Sequence, residues 1–279
     1  MIHSLRAEFP CLSVYRMAQL LSVPRSLVYR SGAVTFPSPV LVPVQEIVMR
    51  FMGYGYRRVR LALAGQGYSV SEHHVRKLMR EHGLLARRPR SKGCTRPSAK
   101  DKRYGNLAKG IVPTGVNQVW VADTTQFVAG GTRLYLAAIM DLHSRMVVAW
   151  SLSRRNDEEL VKSCLRKALE SRRPGLGWIH HSDQGSTYLA QGYASAVKQF
   201  GGRQSLSAPA TPRDNAHMES FFRTLKLEEV DRNRYESFLE AQTSLEFYIH
   251  QIYNQERMHS SLGYISPQQF ESRQNGEMR

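Results

Sequence analysis

Three acidic residues stand where their types and settings could do chemistry together. Val119-Trp120-Val121-Ala122-Asp123 is a short apolar run that ends in an acid, and Gly177-Trp178-Ile179-His180-His181-Ser182-Asp183 ends the same way. Short apolar runs of this kind form buried strands. If the two strands are neighbours in one sheet, both carboxylates lie at the same edge, beyond which ligands of such sheets bind. Paired acids there suit a divalent cation. Mg²⁺ takes a few carboxylate oxygens and keeps room for water and a substrate phosphate. The third acid, Glu219, falls in Asp214-Asn215-Ala216-His217-Met218-Glu219-Ser220-Phe221-Phe222-Arg223-Thr224-Leu225-Lys226. Met218, Phe221, Phe222 and Leu225 form the apolar stripe of a helix there. Glu219, Arg223 and Lys226 follow at i, i+4 and i+7 on an adjacent face, so one helix offers a metal ligand and two cations in line. Taken singly, each acid also suits a solvated cap, and Glu219 with Arg223 suits a plain surface pair. Only the combination is specific.

The elements that must position these residues can be read outward from Asp123. Gly130-Gly131 marks a hairpin turn after the first strand, and Leu134 to Met140 forms the second strand. Asp141-Leu142-His143-Ser144-Arg145 is a turn in which Asp141 serves as a cap, not as a ligand. Met146 to Leu152 is the third strand. A helix spans about Asp157 to Glu170, with Leu160, Val161, Cys164, Leu165 and Leu169 on one stripe. The strand that leads to Asp183 is then the fourth, running parallel to the first. An antiparallel meander, a crossover helix and a parallel strand give an α/β, ribonuclease-H-like core with a mixed sheet flanked by helices.

The N-terminal third is different in kind. Residues 1–103 hold 19 Lys/Arg against 5 Asp/Glu, and the remainder 20 against 18, so nearly all of the +16 net charge lies in the first third. A basic module beside a near-neutral body points to a polyanion partner. Ser13 to Tyr29 carries helical spacing broken at Ser22-Val23-Pro24, a helix-turn-helix pattern. A second candidate spans Val44 to Gly83, broken at Gly65-Gln66-Gly67, with Arg76, Lys77 and Arg80 on its last helix. Arg87 to Arg103 holds eight Lys/Arg and two prolines without apolar periodicity, as a tether would. The expected division is a helical DNA-binding region at 1–86, a basic linker at 87–112, a catalytic core at 113–275 and a tail at 276–279. Cys11, Cys94 and Cys164 are few and scattered, which excludes a disulfide framework or a zinc knuckle. No apolar run is long enough to span a membrane and no signal peptide opens the chain, so a soluble, intracellular protein is expected.

Four stretches carry a family likeness. They are residues 119–125, Val-Trp-Val-Ala-Asp-Thr-Thr; residues 181–188, His-Ser-Asp-Gln-Gly-Ser-Thr-Tyr; the segment Asp214 to Lys226; and residues 253–267, Tyr-Asn-Gln-Glu-Arg-Met-His-Ser-Ser-Leu-Gly-Tyr-Ile-Ser-Pro. With 35 residues between Asp183 and Glu219 and a basic residue seven after the glutamate, the chain resembles the OrfB-type insertion-sequence transposases of the retroviral-integrase (DDE) superfamily. The resemblance implies cleavage and transfer of DNA strands by two Mg²⁺ ions, for which Mn²⁺ can substitute. It implies that Asp123 bridges both ions while Asp183 and Glu219 each complete one site. It further implies DNA contacts at Lys226 and Arg223. Support would come from His181, Asn215, Asn254, Arg257 and His259, although a merely packed strand histidine suits His181 equally. The implied partners are double-stranded DNA at element ends and target, further copies of the chain, and an upstream-encoded protein. Two other readings remain open: a ribonuclease-H-type nuclease that only hydrolyses, and a DNA-binding regulator over a degenerate core.

Overall fold

The computed structural model describes residues 38–86, 105–208 and 212–277. The first helix-turn-helix candidate, at 13–29, and most of the basic tether lie outside the described residues. The chain divides into two compact units, Met1–Glu46 and Ile47–Arg279, and the boundary falls within the first helix among the described residues, α1 (Leu41–Arg50).

The second helix-turn-helix candidate is present as α2 (Tyr56–Gly65) and α3 (Glu72–Glu81). The turn works because Gly67 takes a left-handed φ of 88° that a side chain would disfavour. Ser71 then caps α3 by accepting the His74 N–H at 3.2 Å. Val59 and Leu63 on α2 bury with Val75, Leu78 and Met79 on α3, so α3 turns Arg76, Lys77 and Arg80 outward.

The body is a five-stranded sheet in the order β3-β2-β1-β4-β5. It is built from β1 (Val119–Ala129), β2 (Thr132–Asp141), β3 (Val147–Ser153), β4 (Ile179–Ser182) and β5 (Arg203–Leu206). The first three strands are antiparallel, and β1, β4 and β5 run parallel. Gly130 and Gly131 both take positive φ, as a two-residue hairpin of the primed kind requires. The crossover helix α4 (Glu158–Arg172) is capped by Asp157, and α5 (Ser186–Leu189) and α6 (Gln191–Gln199) follow β4. Trp120, Ala122, Ala137 and Ile139 on one face of the sheet bury against Leu160, Val161, Cys164 and Leu165 of α4 and against Tyr193 and Val197 of α6. β5 is a finding that four residues of mixed polarity did not announce.

α7 (Ala216–Leu225) packs against β1, and α8 (Phe238–Phe247) and α9 (Pro267–Glu277) follow it. Both α7 and α8 continue as π-helical turns, over Lys226–Val230 and Tyr248–Glu256. The first π turn aims Glu228 inward, where Arg257 meets it at 2.9–3.2 Å and the Tyr248 hydroxyl donates at 2.8 Å. The loop after α1 is fastened to this pair. Tyr54 stacks on Phe51 and its hydroxyl accepts the Met258 N–H at 2.6 Å. Gly53 lies so close to the Glu228 carboxylate that a Cβ would strike it. Arg50 adds two hydrogen bonds to Glu256, but that pair is half in solvent and contributes ~1 kcal/mol at most. The buried aromatic pair and the buried ion pair are the stronger fastening.

Candidate active site

Strand register alone brings two of the three acids together. β1 and β4 pair Val119 with Ile179, Trp120 with His180 and Val121 with His181, a constant offset of 60. Two steps further along the same offset stand Asp123 and Asp183. Side chains alternate along a strand, so Trp120 and Ala122 enter the α4 layer while Asp123 points to the face that α7 covers. Asp123 does not end its strand, as the sequence suggested. β1 runs six residues beyond it, paired with β2 as far as Ala129 opposite Thr132. What ends there is β4, at Ser182, so Asp123 sits where one neighbour of β1 stops.

The two carboxylates are poorly compensated. Asp123 accepts the Thr124 N–H at 2.7 Å and Asp183 accepts the Gly185 N–H at 3.0 Å, and neither forms an ion pair among the described residues. Burial pushes Asp123 up to about 7, aided by Asp183 and Glu219 and opposed by the Thr124 N–H and Lys226. Asp183, open to solvent at the mouth, is pushed in the same direction by the protein beneath it, against the Gly185 N–H. Such a pair favours either a shared proton or a cation.

Glu219 rises from the first turn of α7 and is exposed. Its field and that of Lys226 both reach Asp123. α7 is tied down at its start, where Asn215 donates to the Ala122 carbonyl at 3.1 Å, next to Asp123. Asp214 accepts from Asn106 at 2.8 Å and from the Ala208 N–H at 3.0 Å. Among the described residues, no three His, Cys, Asp or Glu side chains close round a point that could hold a metal ion. The donor chemistry suits a hard divalent cation, since the acids are uncompensated oxygens at a sheet edge. A closed cage would need Glu219 to move inward.

The remaining expected residues divide into two groups. His181 is fully buried between the Ser205 hydroxyl at 2.9 Å and the Ser207 hydroxyl at 3.1 Å, an arrangement that braces β4. Asn254 clamps the backbone of Val147 at the start of β3, accepting its N–H and donating to its carbonyl, each at 3.0 Å. Asp141 accepts the N–H groups of Asn117, His143 and Ser144, as a turn cap does. Arg257 is spent on Glu228: burial alone would lower its pKa, and the carboxylate outweighs this. Lys77 pairs loosely with Glu81 at 3.8 Å, and Arg80 is exposed on α3. Arg76, Arg223, Arg257 and His259 all line one pocket beside α7. Arg58 and Arg145 line it too, and sequence patterns did not single them out. A lone arginine in a turn or on a helix carries no spacing signal.

Residues 113–212 match an integrase core domain family, residues 201–267 match a second integrase core domain description, and residues 41–92 match an HTH-like domain. The transposase for insertion sequence element IS904 of Lactococcus lactis subsp. lactis (strain IL1403) is 38% identical over 220 residues, covering 78% of this chain and 87% of that protein. Transposase InsF for insertion sequence IS3A of Escherichia coli (strain K12) is 34% identical over 222 residues, covering 79% and 77%. The dimeric form of the HTLV-2 integrase catalytic core domain in complex with magnesium is similar at 16% identity and a TM-score of 0.40, over 58% of this chain and 99% of that one.

Proposed function

The chain belongs to the insertion-sequence transposases with an integrase core, and from that membership we propose that it cuts DNA at an element end and joins the cut strand to target DNA, with Asp123, Asp183 and Glu219 holding two Mg²⁺ ions. The observation that carries the reading is the common offset that sets Asp123 beside Asp183 on the face covered by the helix of Glu219.

In the first step water attacks a phosphodiester and the bond to the 3′ oxygen breaks, leaving a 3′-hydroxyl. In the second that hydroxyl attacks a phosphodiester of the target and the new strand joint forms as the target's own 3′ oxygen departs. No covalent protein–DNA intermediate is required, so no Ser or Tyr nucleophile is assigned. Two bound divalent cations would supply the positive charge that stabilises the attacking and leaving oxygens of such an in-line displacement. Mn²⁺ substitutes in an oxygen-ligand site of this kind. Asp123 and Asp183 hold the site at the sheet edge, Glu219 closes it from α7, and Lys226 and Arg223 hold the DNA backbone.

The proposed division of labour follows the chain. Residues 1–86 bind DNA, using Arg76, Lys77 and Arg80 in the helix-turn-helix at 56–81. The stretch 87–112 tethers, and 113–275 performs the chemistry. The partners are element ends and target DNA, further copies of the chain that pair two ends, and an upstream-encoded protein. The place of action is the bacterial cytoplasm, at the nucleoid. Among the described residues no helix is long and apolar enough to cross a membrane.

The test is to incubate the purified chain with Mg²⁺ and a labelled duplex ending in its element's terminus. Nicked and joined products that vanish with a chelator are expected. Cleavage that never leads to joining would favour a hydrolytic nuclease. Metal-independent binding without cleavage would favour a regulator.

A further inference from the structure

A pocket of about 660 Å³ opens beside α7. Its walls come from the loop after α1, from α2 and α3, from the turn between β2 and β3, from α7 and from the segment after α8. None of its lining residues is acidic, while Arg58, Arg76, Arg145, Arg223 and Arg257 all reach it. Arg257 is neutralised by Glu228. Arg58 lies over the Tyr54 ring at 5.4 Å and Arg76 over the Tyr56 ring at 5.6 Å. Among the described residues, Arg58, Arg145 and Arg223 form no ion pair.

Two side-chain nitrogens of the pocket's lining residues lie beneath its surface without partners. Nη1 of Arg145 and Nε2 of His259 are buried with no hydrogen-bond partner, and His259 as a whole is only 9% exposed. Asp141, whose carboxylate accepts three backbone N–H groups, acts on Arg145 through its charge but forms no ion pair with it. Arg145 also holds a left-handed φ of 62°, a conformation that L side chains disfavour. Strain, a buried unpaired guanidinium nitrogen and unbalanced positive charge coincide at one place. With no acid among the lining residues, an anion entering the pocket gains charge-assisted hydrogen bonds from its guanidiniums.

We infer that this pocket is a binding track for the phosphate backbone of a DNA strand, with Arg145 and Arg58 as its anchoring cations and Arg76 and Arg223 at its rim. The guanidiniums come from separate elements and surround a volume larger than one phosphate group. A strand with a charge every 3.4 Å matches such a row better than a single free anion does. Hydroxyls of Ser220, Thr224, Ser260 and Ser261 add uncharged donors along the same wall. The track runs from α3 to the flank of α7, so DNA held by the helical module is led to the helix that carries Glu219. The identity of the anion as DNA rests on the transposase reading; the presence of an anion site does not.

The test measures the affinity of the full chain for a labelled duplex across a salt series, for wild type and for Arg58→Gln, Arg145→Gln and Arg145→Lys, with thermal melts to verify folding. Each Gln variant is expected to bind about tenfold more weakly at fixed salt. Each should also lower the slope of log affinity against log salt by about 0.9. Arg145→Lys should restore most of that slope, which a purely structural role for Arg145 would not allow. Unchanged slopes in both Gln variants beside intact wild-type binding would overturn the track and leave the transposase reading standing. Calorimetric binding of inorganic phosphate that Arg145→Gln abolishes, with an unchanged DNA slope, would make the pocket a free-anion site and overturn the DNA assignment. Failure of the wild type to bind DNA at all would overturn both.

Discussion

Asp123 is where the demands of folding and of the proposed chemistry conflict. Its carboxyl is held up to about 7 by burial first and by Asp183 and Glu219 after it. The folded chain therefore keeps a proton that the unfolded chain releases at about 3.8. That contribution to stability is full at low pH and is lost as pH rises through about 7. Asp123→Asn is accordingly expected to melt higher than wild type at pH 8 in the absence of metal, with the gap closing as pH falls below 4; melting curves at the two pH values test this. A variant that melts lower at pH 8 would show that the carboxylate is not under strain. At this scale the sequence was most informative where a residue closed an apolar run, as Asp123 and Asp183 do. It was least informative for Arg145, whose role depends on a left-handed turn and on neighbours far away in the chain, such as Arg58 and Arg223.

The elements matter through two junctions. At the first, Asn254 holds the N–H and carbonyl of Val147. Truncation leaves two buried backbone groups unpaired, at about 1–3 kcal/mol each, so Asn254→Ala is expected to lose roughly 2–4 kcal/mol in chemical denaturation. At the second, Glu228 and Arg257 are almost wholly buried, with side chains 0% and 6% exposed. Removing one partner strands the other charge, so Glu228→Gln should cost about 3–5 kcal/mol. The double variant Glu228→Gln, Arg257→Met should regain a part of that, since the stranded charge is then gone. Equal losses in single and double variants would mean that packing, not charge, governs the junction. Strand order and the crossover helix were legible from apolar runs and turns. The π turns were not, because a period of 3.6 assumed along Lys226–Val230 places Glu228 wrongly. The extension of β1 past Asp123 was also hidden, since Thr124, Thr125 and Gln126 look polar although each is paired with β2.

Across the whole molecule, charge and protonation set the working range. His180 is pushed down to about 3 by burial and by His181, and His259 to about 3 by burial and by Arg257, Arg58 and Arg145. The folded chain keeps both neutral while the unfolded chain binds protons below about 6.5, so their contribution is present above that pH and is lost as pH falls toward 3. His181 and His217 are shifted down by burial as well, so four histidines stand against the opposing Asp123 and Asp183, and the melting temperature is expected to fall between pH 7 and pH 5. His259→Gln should flatten that fall, and an unchanged pH profile would show that His259 is not held neutral. The basic N-terminal third was visible in composition alone. How DNA reaches the acids was not visible, because the cations that line the way come from five separate parts of the chain.

The central claim is that Glu219 joins Asp123 and Asp183 around metal, although among the described residues the three acids do not already close a cage. The direct measurement compares wild type with Glu219→Gln on a labelled element-end duplex in Mg²⁺, reading binding, nicking and joining in one experiment. Glutamine removes the charge with little change of shape. Retained binding with nicking and joining both slowed by at least about a hundredfold, roughly 2.7 kcal/mol of barrier, is the expected result. Nicking and joining at wild-type rates in the variant would contradict the assignment of Glu219 as a metal ligand and with it the three-acid site.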